Sequence, residues 1–236
     1  MHVPTLAPLK ASSRSATDRV FDAIYVAVIS VQLPPGTKVS EAELAKQLNV
    51  SRQPVRDAFF RLSNLGFLSI RPQRPTLITK ISRRAIHDAV FTRAALEVEC
   101  LRQATIRNQK KLIVEMEAII ARQEIALSKD TSNFHALDES FHELICSVSG
   151  HDHVWPLIRE QKGHLDRLRF LSLSPERQRF VIAEHREILK AILNGATGEA
   201  ETLLRAHISA IEEILPTIVA RYPTYFEVAQ SGTLRG

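Results

Sequence analysis

Four side chains in the C-terminal half of this 236-residue chain have the types and spacing to hold a divalent metal. Asp138 and His142 stand at i and i+4, which puts a carboxylate and an imidazole one turn apart on one helical face. They flank an apolar stripe of Phe134, Leu137, Phe141, Leu144 and Val148. His185 interrupts a stripe of Val181, Ile188 and Ile192, and His207 one of Leu203, Ile211 and Ile214. A charged imidazole on such a stripe is costly without a partner. Three neutral nitrogen donors and one hard oxygen suit a divalent transition ion. Taken singly, each histidine is as well explained as a satisfied core residue, and the Asp138–His142 pair as an ordinary hydrogen bond. Spacing alone leaves both readings open. His135, His151, His153 and His164 have weaker claims, since His151 and His153 follow Gly150 where a surface turn is expected.

Arg93 is a second anomaly of the same kind. It shares a stripe with Ala89, Leu96 and Cys100, and a guanidinium on a buried face needs an anion. Glu97, one turn on, is one source; an acidic ligand gripped by the planar fork is the other. No glycine-rich phosphate loop and no Ser/His/Asp nucleophile set occurs, so no catalytic residue is assigned. Glu139 and Glu143 beside Asp138 and His142 keep a rival reading open, a metal-dependent enzyme fused to a second module, because such a ligand set can activate water.

The third group lies between Glu41 and Arg61, in EAELAKQLNVSRQPVRDAFFR. Glu41–Leu48 reads as a short helix with Leu44, Ala45 and Leu48 on one face, and Asn49-Val50 as a turn. Ser51 is expected to cap a second helix whose Val55, Phe59 and Leu62 fall at i, i+4 and i+7. Its exposed start carries Arg52, Gln53 and Arg56. Arg matches guanine and Gln can match adenine through paired hydrogen bonds in the DNA major groove.

The remaining elements are those that must position these groups. Residues 1–16, rich in Pro, Ser, Ala and Thr, are expected to be a flexible arm. Thr17 or Asp18 should cap a helix to about Ser30, ended by Leu33-Pro34-Pro35-Gly36. After Leu65-Gly66, the runs Phe67–Arg71 and Thr76–Ile81 form a hairpin with Gln73 and Arg74 at its tip, and Arg there favours the backbone or minor groove. From Arg83 onward only helical periodicity is present: 83–107, 110–128, 131–149, 152–172, 175–194 and 197–221, six helices with short connections. Pro216 should kink or break the last. The expected fold is mainly α. A winged helix-turn-helix over 17–81 precedes an all-α six-helix bundle over 82–222 that serves ligand binding and dimerisation, and 223–236 is a tail.

Charge follows the same division. Residues 1–80 hold 11 Lys/Arg against 5 Asp/Glu, while the rest is nearly balanced at 20 against 21. A basic module carrying a helix-turn-helix, joined to a neutral one, is the pattern of a DNA-binding protein. Cys100 and Cys146 lie inside apolar helical patterns and read as buried thiols of a reducing compartment. No run approaches 18 apolar residues and no secretory leader is evident, so a soluble cytoplasmic protein without a membrane span is expected.

The first module resembles the winged helix-turn-helix of GntR-type bacterial transcription regulators. The matching residues are Leu33-Pro34-Pro35-Gly36, Val39-Ser40-Glu41 with Leu44-Ala45, Val50 through Arg56, Leu62 and Gly66. The helical part resembles the FCD ligand-binding domain of the FadR branch, in Arg93-x-x-Leu96-Glu97 and in the order and spacing of Asp138, His142, His185 and His207. That resemblance implies a homodimer on a palindromic double-stranded operator, with Arg52 and Arg56 on bases and Ser51, Gln53 and Arg74 assisting. It implies a divalent ion on the four ligands, zinc first and nickel or manganese as alternatives, beneath a pocket for a small organic acid that Arg93 contacts. Two residues depart from the pattern. Ala42 stands where relatives carry an arginine, and Pro75 where a wing-tip glycine is common.

Overall fold

The computed structural model describes residues 4–9, 14–129 and 133–228, which form two compact units. The first contains the residues up to Ala85 together with Asp166–Leu171 and the stretch from Thr217. The second contains Ile86–Leu165 and Ser172–Pro216.

In the first unit, helix α1 (Ala16–Ile29) is capped by Ser15, whose hydroxyl accepts from the Asp18 amide at 3.0 Å. The cap therefore precedes the expected Thr17 or Asp18, and Asp18 serves the first turn instead. Val20, Ile24 and Val28 of α1 are buried, as their spacing requires. Helices α2 (Glu41–Leu48) and α3 (Arg52–Asn64) are joined through Asn49, which takes the left-handed conformation at φ 54° that Asn tolerates. Val55, Ala58, Phe59 and Leu62 of α3 pack with α1 and α2 into one core, closed by Phe67, Leu68 and Ile78. Ser51 holds the N-cap position of α3 but makes no capping hydrogen bond, contrary to expectation.

Gly66, at φ 79°, ends that segment and starts the wing. Strands β1 (Lys38–Val39), β2 (Leu68–Ser69) and β3 (Thr76–Ile78) form an antiparallel sheet in the order β1-β3-β2. Lys38 pairs with Leu77, and Leu68 with Ile78. The hairpin was expected; β1 was not, because two residues carry no readable alternation. Leu6 lies within the stretch expected to be a flexible arm, yet it is buried in this core, and its amide donates to Gln47 Oε1 at 2.9 Å. The rest of that arm at 1–3 and 10–13, and the tail at 229–236, lie outside the described residues.

In the second unit, α4 (Arg83–Lys129) is interrupted at Asn108, whose φ of −159° and ψ of 67° leave the helical region. The Asn108 side chain accepts from the Lys111 amide at 3.0 Å and so caps the second half. The break is where the sequence placed it. The connection expected at Lys129-Asp130 falls partly on residues 130–132, outside the description. There follow α5 (Phe134–Ser149), α6 (Val154–Gln161), α7 (Gly163–Ser172), α8 (Pro175–Leu193) and α9 (Thr197–Arg221). The expected single helix 152–172 is two, because Lys162 closes α6 and Gly163 opens α7. Pro216 lies inside α9 without ending it. The first unit resumes at Thr217, next to it. On α9 the buried face runs through Leu204, His207, Ile208 and Ile211, one position round from the predicted Leu203 stripe.

The break at Asn108 has a consequence for position. A straight helix would carry Gln123 about 39 Å from Glu97, at 1.5 Å rise per residue. Each instead hydrogen-bonds one of two imidazoles, His142 and His185, whose ring centroids are 5.8 Å apart. The two halves of α4 therefore flank the same interior point.

Candidate metal centre and nucleic-acid interface

Asp138 and His142 from α5, His185 from α8 and His207 from α9 are all buried, and one ligand atom from each lies within 4.8 Å of every other. His142 Nε2 is 3.3 Å from His207 Nε2. Asp138 Oδ1 is 3.9 Å from His142 Nε2 and 3.6 Å from His185 Nε2. Donors bound at about 2.1 Å to one ion are separated by roughly 3.0–3.4 Å from their neighbours. The two facing imidazole nitrogens stand at that separation, and the carboxylate oxygen lies somewhat further out.

Proton bookkeeping sharpens the point. His142 Nδ1 lies 2.6 Å from Glu97 Oε2, and His207 Nδ1 lies 2.9 Å from Glu184 Oε2. An ionised carboxylate only accepts, so each Nδ1 carries the hydrogen. In the neutral ring Nε2 is then a bare lone pair. Two such lone pairs face each other at 3.3 Å, an arrangement that repels unless a proton or a metal ion lies between. His185 follows suit, its Nδ1 3.0 Å from the Gln123 amide oxygen and its ring stacked on Phe141 at 3.7 Å. Three Nε2 atoms and one carboxylate oxygen thus converge, each imidazole oriented by an outer partner, as metal-ligating histidines are.

The electrostatics keep His142 in the ligating form. Burial pushes its pKa down to about 4, against the opposing pull of Glu97. Burial alone would raise Glu97, but Arg93 and then His142 outweigh it and hold this carboxylate well below its usual range. Arg93 Nε donates to Glu97 Oε1 at 2.6 Å with both side chains inaccessible, so Glu97 supplies the anion that the stripe demanded. Arg93 Nη1 has no hydrogen-bond partner among the described residues. A second buried cation, Lys162, lies 2.6 Å from Glu139, the residue after Asp138. Glu143 is exposed.

At the other end of the chain, Ser51, Arg52, Gln53, Arg56 and Arg74 are all exposed. The first four lie at the start of α3; Arg74 lies at the wing tip, beside Gln73 at φ 55°. Gln53 Nε2 donates to Asp57 at 2.8 Å, and Arg56 Nε to Glu41 at 3.3 Å. These exposed contacts are weak and leave the side chains available. A groove of about 550 Å³ opens beside them, lined by Lys38, Ser40, Glu41, Arg52, Pro75 and Thr76. The start of α3, the start of α2 and the wing thus border one concave face.

Two family models match the chain. Residues 16–78 match the gntR family of bacterial regulatory proteins, and residues 88–210 match the FCD domain. The chain belongs to the gntR family and carries an FCD domain. It is 33% identical over 200 residues to an uncharacterised HTH-type transcriptional regulator from an unstable DNA locus of Streptomyces ambofaciens, covering 84% of each chain. It is 31% identical over 190 residues to the HTH-type transcriptional repressor RspR of Escherichia coli K12, covering 79% of this chain and 82% of the repressor. Among solved structures, E. coli McbR/YncC has the same fold, with a TM-score of 0.72 at 20% identity over 89% of this chain and 99% of that one. The protein is a DNA-binding transcription regulator and not an enzyme, which retires the rival reading.

Two residues at the centre escaped the sequence reading, and a third was recognised in only one of its contacts. Gln123 carried a signal, since it continues the buried stripe of Met116, Ile119 and Ile120 on α4. Glu184 carried none: a glutamate beside His185 is ordinary on a helix surface. Glu97 was recognised as a partner for Arg93, but its contact with His142, 45 positions away, was not.

The two glutamates should behave differently. Glu97→Ala strands Arg93 as a buried unpaired charge, and denaturant titration should show a loss of about 3–5 kcal/mol. Glu184 is about one-third exposed. Glu184→Ala should leave stability within about 1 kcal/mol and weaken metal affinity about 10–100-fold in a competition assay.

Proposed function

We propose that this regulator binds a palindromic operator as a cytoplasmic homodimer, and that one divalent ion on Asp138, His142, His185 and His207 forms the floor of a pocket for a small organic acid. The observation that carries this reading is the convergence of three Nε2 atoms with a carboxylate on a buried point, each imidazole oriented by an acceptor at its Nδ1. The donor set suits zinc first, with nickel or manganese as alternatives. One carboxylate against a doubly charged ion leaves a net positive centre, which favours an anionic effector. Arg93 Nη1, buried and without a hydrogen-bond partner among the described residues, is suited to a second oxygen of the same molecule. When bound, the ion supplies a Lewis-acid contact for that acid; the chain's residues orient it and exclude water.

Arg52 and Arg56 are proposed to read bases, with Ser51, Gln53 and Arg74 on neighbouring groups or backbone. Arg52→Ala and Arg56→Ala should each cost about 1–3 kcal/mol per lost base contact and relax sequence preference in a randomised-site selection. Arg74→Ala should weaken all sequences alike. Unchanged selectivity in the first two variants would remove α3 from the interface.

One α3 reads too few base pairs for a unique site, which is the reason to expect two copies. Phe91 and Ile106 on α4 are 77% and 71% exposed and favour that helix as the seam. Light scattering should give twice the chain mass, and Phe91→Asp should halve it. A wild-type monomer that binds a single half-site tightly would overturn the dimer.

Elemental analysis of purified protein should find about one metal ion per chain, consistent with one four-ligand site. The double variant His142→Ala/His185→Ala should lose it. A thermal-shift screen of sugar acids, hydroxy acids and dicarboxylates should give a hit in the wild type that Arg93→Lys loses while keeping its metal.

A further inference from the structure

Arg167 is fully buried, and no carboxylate among the described residues hydrogen-bonds it. Its hydrogen bonds go only to Thr79: Nη1 to the carbonyl at 2.9 Å and Nη2 to Oγ1 at 3.2 Å. The guanidinium lies 5.2 Å from the Phe67 ring, and Nε is unpaired. Burial lowers its pKa to about 10, with Glu227 pulling the other way. A cation held by neutral acceptors regains full hydration when it is let go, so the contact persists only while the surrounding packing holds it.

Thr79 is well placed to matter. Its amide donates to Phe67 O at 3.0 Å and its hydroxyl to Gly66 O at 2.6 Å, which ties the end of β3 to the segment just after α3. Two residues on, Ile81 is gripped from another side. Its amide donates to Tyr225 O at 2.8 Å, and Glu227 N donates to Ile81 O at 3.0 Å, a short parallel bridge that buries Phe226. Residues 79–81 are therefore held by two segments far away in the sequence, one continuous with a helix that bears a cluster residue and the other with a lysine tied to the neighbour of a cluster residue. The stretch from Thr217 continues α9, which bears His207. Helix α7 follows Lys162, whose ammonium is bound by Glu139, next to Asp138.

We infer that Thr79–Ile81 is the control point at which the state of the pocket reaches the wing and recognition helix, with Arg167 as its release pin. This rests on the metal-centre reading above. Whatever fixes Asp138 also fixes Glu139, and with it Lys162 and the start of α7. A small displacement of α7 withdraws Arg167 from Thr79, and the wing loses its hold on the end of α3. The segment is a two-state element whose equilibrium both ends can bias.

Amide hydrogen exchange on the full-length protein tests this, comparing chelator-stripped with zinc-loaded samples whose metal content is measured separately. Loading should change exchange at residues 79–81 and 226–227 by about fivefold or more in the wild type, the lower end of ordinary site-to-site coupling. Arg167→Met should bind zinc as tightly and lose that change. Bound zinc with no change at 79–81 in the wild type would overturn the inference, as would an Arg167→Met protein that responds like the wild type. Thr79→Val, which removes one acceptor, substitutes if Arg167→Met does not fold. If the wild type takes up no zinc, the metal centre has failed rather than the control point. The point is then read from the other end: operator DNA should alter protection of 226–227 in the wild type and not in Arg167→Met, and an equal response in both would sink it.

Discussion

The Glu97 carboxylate is the contact on which the interior of the second unit depends. It is wholly buried and accepts from Arg93 on one oxygen and from His142 on the other. The first contact neutralises a guanidinium that could not otherwise lie in the core. The second fixes the tautomer and plane of an imidazole. One acidic side chain thus makes both a buried cation and a buried, oriented imidazole tenable. Removal of either neighbour would leave charge or lone pairs without compensation.

The centre is assembled from four helices, and their roles differ. Helices α5, α8 and α9 supply the convergent donors. Helix α4 supplies none, only the outer partners Glu97 and Gln123, one from each side of the Asn108 break. This division lets the donors be set by neighbours that face no ion.

The first unit solves a different problem. An apolar cluster runs through α1, α2, α3 and the sheet, and the arginines at the start of α3 and on the wing lie exposed outside it. The polar cost appears at one place, where Arg167 enters from a helix far along the chain. Among the described residues, buried charge is thus found beside the Asp138–His142–His185–His207 cluster and at the strap after the wing.

The sequence by itself determined the two-module organisation, the helix-turn-helix with its exposed Arg52, Gln53 and Arg56, the break at Asn108 and the four inward ligands. Each of these is a local signal. Apolar periodicity, a turn residue or a polar side chain on an apolar stripe is written within a few turns of helix. The tertiary structure decided what depends on meeting partners. Only the fold brought Glu97 to His142, Glu184 to His207 and Gln123 to His185. Only the fold assigned Asp166–Leu171 and the stretch from Thr217 to the first unit, although 166–171 and 217–221 read as bundle and the rest as a tail. It also buried Leu6 in a segment whose composition suggests an arm. Hydrogen bonds across 45 or 88 positions leave no trace in spacing, because periodicity shows which face a side chain shares and not which neighbour completes it.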